Sequence, residues 1–158
     1  MIKIAILTIS DRASKGEYQD KSGEVIKDIL KNIPAEINRY EIIPDEPELI
    51  KQKFVEYCDL LKVDLVISTG GTGLGPRDFT PEVTREVIEK EVPGISEALR
   101  IEGLKSTKNA MLSRGLSGIR GKTLIINLPG NPKACQEALS IILEPVQHGL
   151  DMIKGKGH

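Results

Sequence analysis

Charge of one sign is missing from this sequence. Its 22 basic residues stand against 23 acidic ones, for a net charge of −1, and the two signs are interspersed. That balance excludes a broad basic nucleic-acid surface, so any recognition of phosphate must be local. Cysteine is scarce, limited to Cys58 and Cys135. Far apart and each within a helical pattern, they fit buried, reduced thiols of a cytoplasmic protein better than a disulfide framework. The only histidines, His148 and His158, have no ligand-spaced partner, which leaves zinc chemistry unsupported. The opening MIKIAILTIS is too short for a membrane span and lacks the small-residue cleavage pattern of a signal peptide, so it reads as a core strand and no membrane partner is expected. Repeats, low-complexity tracts and linkers are absent, and only the closing KGKGH looks frayed. What is present, 158 residues of which 39% are hydrophobic and 28% charged, suits one domain over residues 1–158 with a single core.

The most informative stretch is LVISTGGTGLGPRDFTPE, from Leu65 to Glu82. Leu65, Val66 and Ile67 form an apolar run suited to a strand covered on both faces. Gly70, Gly71, Gly73 and Gly75 then allow positive φ or close ligand approach, and Thr80 as N-cap with Pro81 as first helical residue predicts a helix start. The helix's free N–H groups would face the same turn, an arrangement that holds phosphate. Neither familiar phosphate loop fits. A P-loop needs Lys and Ser or Thr where Pro76 and Arg77 stand, and the dinucleotide pattern finds Pro76 or Asp78 in place of its last glycine. Arg77 beside Asp78 is unusual, because a carboxylate at an anion site is useful only with a metal ion or a proton transfer. Asp78 therefore suggests Mg²⁺; the alternative is that Asp78 and Thr80 only shape the turn and cap the helix.

The rest of the chain alternates strand and helix. Ile2 to Ile9 is a strand, followed by a long polar loop in which Asp11, Arg12 and Asp20 are chemically capable and Ser22 is placed to cap a helix. The alternative is a solvated loop with an Arg and Asp ion pair. Ile37 to Ile43 reads as an edge strand ending at Pro44, with Asp45 either capping or lying just before a helix that runs to Leu61. Val92 to Ser113 reads as helix and loop with a break at Gly94. MLSRGLSGIRG is either a surface loop or a segment returning hydroxyls and a guanidinium to a ligand. Lys122 to Leu128 is the last strand, and Gly130, Asn131 and Pro132 form a second anion-ready turn into a long helix. Such alternation predicts an α/β fold with a mostly parallel sheet and helices on both faces. Ligands bind such sheets outside the carboxyl ends of the strands, where Asp11, Asp45, the Gly70 to Asp78 turn and the Gly130 turn all fall.

Three motifs in order, TISDRASKGEYQDKSG at 8–23, STGGTGLGPRDFTPE at 68–82 and MLSRGLSGIRGKTLIINLPGNPKA at 111–134, resemble those of the molybdenum cofactor biosynthesis proteins of the molybdopterin adenylyltransferase type. The resemblance covers nearly the whole chain. It implies a three-layer α/β/α fold, a homotrimer, and Mg²⁺-dependent transfer of AMP from ATP to the terminal phosphate of molybdopterin, with pyrophosphate released. The product would pass to the molybdate-insertion protein of the same pathway. Residue by residue, the resemblance assigns the catalytic carboxylates to Asp45 and Asp78, with Asp78 on Mg²⁺ and Asp45 on the nucleotide side. It places Gly70, Gly71, Thr72 and Gly73 on ligand phosphates, and Ser10, Asp11, Ser113, Gly130 and Pro132 near substrate or nucleotide, with Arg77 offsetting developing charge. A second reading is a sister protein or a pterin-binding module that uses the same pocket without catalysis.

Overall fold

The computed structural model describes residues 1–156; His158 and the last part of the KGKGH ending lie outside the described residues. In chain order the elements are β1 (Ile2–Ile9), α1 (Asp11–Ser14), α2 (Lys21–Leu30), β2 (Ala35–Ile43), α3 (Pro47–Val55), β3 (Leu65–Thr69), α4 (Thr80–Val87), β4 (Lys90–Glu91), α5 (Pro93–Leu104), β5 (Ser117–Arg120), β6 (Thr123–Leu128) and α6 (Pro132–Ile153). They form one six-stranded sheet in the order β2-β1-β3-β6-β5-β4. The pairings β2·β1, β1·β3 and β3·β6 are parallel, while β6·β5 and β5·β4 are antiparallel.

Because successive strand residues point to opposite faces, the apolar runs of β1, β3 and β6 supply two cores at once. Ile4, Ile6, Leu65, Ile67, Leu124 and Ile126 face α2 and α6, where Ile26, Leu30, Leu139 and Ile142 meet them. Ala5, Leu7, Val66 and Ile125 face the other way, onto Ile50 and Phe54 of α3 and Val83 and Val87 of α4. The result is the expected three-layer α/β/α sandwich with a mostly parallel sheet. β2 is the edge strand that its polar residues predicted.

Several local expectations are corrected. The cap of α2 is Asp20, not Ser22: the Asp20 carboxylate accepts from Gly23 N–H (2.9 Å), from the Thr8 hydroxyl (2.7 Å) and from the Tyr40 hydroxyl. Thr80 is the first residue of α4 instead of its cap, and its hydroxyl donates to the Gly70 carbonyl (3.0 Å). Asp45 does not cap α3, which begins at Pro47 after Glu46 and gives way to a π-turn at Glu56–Leu60 instead of continuing to Leu61. Gly94 lies inside the first turn of α5 and breaks nothing. The MLSRGLSGIRG segment begins in the last two residues of a 3₁₀ turn (Lys108–Leu112) and goes on to the unpredicted strand β5, which with the two-residue β4 makes the antiparallel edge. Asn131 caps α6 as expected, its side chain accepting from Ala134 N–H at 3.1 Å.

Candidate active site

Strand order reverses at β1: the chain goes outward to β2 and then returns to β3 on the other side. After β1 the chain runs to the α2 layer, and after β3 to the α4 layer. Neighbouring carboxyl ends therefore send their loops apart, which opens a crevice. The turn after β3 sits in it. Gly70 has φ 99° and Gly71 φ 67°, a left-handed pair open to glycine. A Cβ on Gly70 would lie 2.2 Å from the Ile9 carbonyl oxygen, and one on Gly71 2.3 Å from the Thr80 hydroxyl. From the other side, Gly70 N–H donates to the Leu128 carbonyl (3.2 Å) and Gly130 approaches the Gly70 backbone.

A cavity of about 710 Å³ opens beside this turn. Of the residues expected at the site, Gly70, Gly71, Thr72, Gly73, Asp78, Ser113 and Gly130 line it. Asp78 is held by the turn it closes: its Oδ2 accepts from Gly75 N–H (2.8 Å). The same oxygen occupies the space that side chains on Gly73 and Gly75 would fill.

Of the other expected residues, Asp11, Asp45 and Arg77 are gathered at the back of the turn, and neither these nor Ser10 and Pro132 line the cavity. Asp45 is buried, and its Oδ1 lies 3.1 Å from where a Gly71 Cβ would stand. Asp45 and Asp11 are locked reciprocally: Asp11 N–H donates to Asp45 Oδ2 (2.9 Å) and Asp45 N–H to Asp11 Oδ1 (3.0 Å). Arg77 points into this pair. Its Nε and Nη2 donate to the Asp11 carboxylate (2.7 and 3.1 Å), and Nη2 also reaches the Asp45 carbonyl (3.0 Å) and Glu46 (2.8 Å). The ion pair expected within the first loop does not form: Asp11 pairs instead with Arg77 of the turn after β3, while Arg12 lies over the Tyr18 ring at 5.4 Å. Ser10 caps α1, accepting from Ala13 N–H (3.1 Å), and Pro132 opens α6.

Electrostatics separates the carboxylates. Burial pushes the Asp45 carboxyl above the ordinary carboxylate range, and the Asp11 and Asp78 charges add to that push against the opposing Asp11 N–H and Arg77. The Arg77 guanidinium holds Asp11 below that range. Asp45 stands behind the glycine turn against Gly71, and Asp78 stands on its cavity side against Gly73 and Gly75.

Residue types alone missed Arg100 and Lys133, and anticipated Arg114 only as a guanidinium of the MLSRGLSGIRG segment. Arg100 and Lys133 line the cavity. Arg100 Nη1 donates to the carbonyls of Ser113 (3.3 Å) and Gly115 (3.0 Å), so it shapes the wall that carries Ser113. Lys133, a cation in the first turn of α6 where it opposes the helix dipole, stands 4.0 Å from Glu137 one turn further on. Among the described residues no group of three His, Cys, Asp or Glu forms a metal-binding cluster, and no helix is long and apolar enough to cross a membrane.

Residues 5–148 match the model of a probable molybdopterin binding domain. The chain belongs to that family. It is 45% identical over 157 residues to a molybdopterin adenylyltransferase of Helicobacter pylori strain J99, across 98% of this chain and 89% of that protein. The molybdopterin adenylyltransferase of Escherichia coli K12 is 39% identical over 156 residues, across 94% of this chain and 80% of that one. Among solved structures, the molybdopterin biosynthesis enzyme MoaB of Thermus thermophilus superposes with a TM-score of 0.93 at 46% identity, covering 99% of this chain and 98% of its own. This family member therefore shares the architecture of those proteins along nearly its full described length.

Proposed function

We propose that the protein is a molybdopterin adenylyltransferase of molybdenum cofactor biosynthesis, its chain acting as one domain. The terminal phosphate of molybdopterin attacks the α-phosphorus of ATP, a new phosphorus–oxygen bond forms, the α–β bridge breaks, and pyrophosphate leaves. The observation that carries this reading is the pair of carboxylates flanking one glycine turn, Asp78 on the cavity side and Asp45 behind Gly71. Its enzymatic class comes from relatives that carry the adenylyltransferase name over nearly all of this chain.

A reaction of this kind needs in-line positioning and charge stabilisation more than a protein nucleophile. Gly71, Thr72 and Gly73 would present backbone N–H groups to phosphate oxygens, while Gly70, its own N–H held by the Leu128 carbonyl, allows the close approach; Ser113 and Gly130 would border the substrate, and Arg100 and Lys133 supply positive charge on the cavity wall. Arg77, committed to Asp11 and Glu46, supports the turn from behind. Mg²⁺ is usually held by one or two carboxylates together with substrate phosphates instead of an all-protein cage, and Asp78, the carboxylate of the turn that borders the cavity, fits that donor set, whereas Asp45 lies behind the turn. The metal, when bound, would neutralise developing phosphate charge.

A homotrimer and a reducing cytoplasmic setting complete the proposal, the latter in keeping with two buried thiols held up at about 11 by desolvation. Delivery to a molybdate-insertion protein would follow. Purified protein incubated with ATP, Mg²⁺ and molybdopterin should release pyrophosphate and yield adenylyl-molybdopterin. The likeness to the MoaB enzyme favours a second reading, a pterin-binding sister protein. Tight molybdopterin binding with no pyrophosphate would select it.

A further inference from the structure

The turn that carries Asp78 is closed by a residue that does not line the cavity. The Arg114 backbone N–H donates to the Thr72 carbonyl (2.9 Å). Its guanidinium donates through Nε to the Gly73 carbonyl (2.8 Å), through Nη2 to the Asp78 carbonyl (2.9 Å) and through Nη1 to Glu82 (2.6 Å). One rigid fork thus spans both ends of the segment from Gly73 to Asp78. Inside that ring, Asp78 Oδ2 is already fixed by Gly75 N–H (2.8 Å). The residue before Arg114 is Ser113, which lines the same cavity, so Arg114 ties two of its walls together.

We infer that Arg114 is a positioning residue: it fixes the Asp78 carboxylate relative to the Ser113 wall without touching the ligand. This rests on the adenylyl-transfer reading. Carbonyl oxygens at the two ends of a turn need a planar group with separated donors to hold both at once, and lysine, whose three donors share one nitrogen, cannot replace it. A loosened turn displaces Asp78 by a fraction of a bond length to an ångström, which slows a positioned reaction far more than it weakens binding.

The test compares the full-length wild type with Arg114→Lys, Arg114→Gln and Glu82→Gln. Amide hydrogen exchange of ligand-free protein is expected to rise on the order of tenfold over residues 72–80 in both Arg114 variants, with the rest of the sheet unchanged. Turnover with ATP, Mg²⁺ and molybdopterin should fall roughly 10- to 100-fold in kcat, with KM for molybdopterin within a few-fold. Glu82→Gln should behave as wild type, because an exposed ion pair contributes little. Unchanged exchange at 72–80, or loosened exchange with wild-type kcat, overturns the inference. A lowered melting temperature with loosening throughout both Arg114 variants overturns it as well, since that assigns Arg114 to folding alone. If wild type itself releases no pyrophosphate, the adenylyl-transfer reading fails separately, and the exchange measurement alone decides whether Arg114 holds the turn.

Discussion

Asp78 and Asp45 are both carboxylates beside one turn, yet their surroundings set them different tasks. Asp78 sits on the cavity side with one oxygen fixed by Gly75 N–H. Replacing it by asparagine preserves that acceptor but removes the charge, so turnover should fall on the order of 10²-fold or more while molybdopterin affinity, measured by titration, stays within a few-fold. Asp45 carries its charge against burial. A raised folded-state pKa means that the ionised form costs stability above that value, and the cost is relieved as pH falls through it. Asp45→Asn should therefore raise the melting temperature at neutral pH and lower turnover, a stability gain at the expense of activity. Wild-type kcat should also lose activity on the acid side at a pH above the ordinary aspartate range. Asp11 runs the other way: its lowered pKa means that its contribution is present above the unfolded value and is lost as pH falls through the folded one. The residues of this site were legible where a side chain or a glycine acts within its own motif, as with Asp78, Gly70 and Gly71. Arg114 was legible only as a guanidinium of MLSRGLSGIRG that could return to a ligand; that it instead holds backbone carbonyls distant in sequence is something no residue pattern records.

At the scale of elements, the turn after β3 depends on positions where a side chain has no room. Gly71→Ala would force a Cβ to 2.3 Å from the Thr80 hydroxyl at a φ of 67°. Together these should cost about 2 kcal/mol or more, read as a lowered urea midpoint with unchanged slope. Elements with a clear period were readable from sequence: β1, β3 and β6 as unbroken apolar runs, α2 and α6 by their spaced apolar faces, and α6 also by its Asn131–Pro132 start. Those that escaped are short or carry contrary residues. β4 spans only Lys90–Glu91, and β5 includes Gly118; their pairing is set by the hairpin with β6 instead of their own propensity. The π-turn after α3 has the same apolar spacing as the helix it interrupts, so periodicity could not separate them.

For the molecule as a whole, the sheet divides its stabilisation between two faces. Ile6 and Leu7 are neighbours in β1, are both fully buried, and belong to separate cores. Ile6→Ala and Leu7→Ala should each cost roughly 2–5 kcal/mol, and the double variant should equal their sum within about 0.5 kcal/mol in chemical denaturation, because they share no packing partners. Strong coupling between them would argue against independent layers. The same layout also bears on biosynthesis. β1 pairs with β2, which follows after α1 and α2, and with β3, which emerges only after α3, while β6 comes later still. During translation an almost wholly apolar strand, IKIAILTI, must therefore wait beside the ribosome with its second edge open. Hydrophobic nascent segments of that kind invite chaperone capture, and slowing elongation before Leu65 should increase the fraction that misassembles.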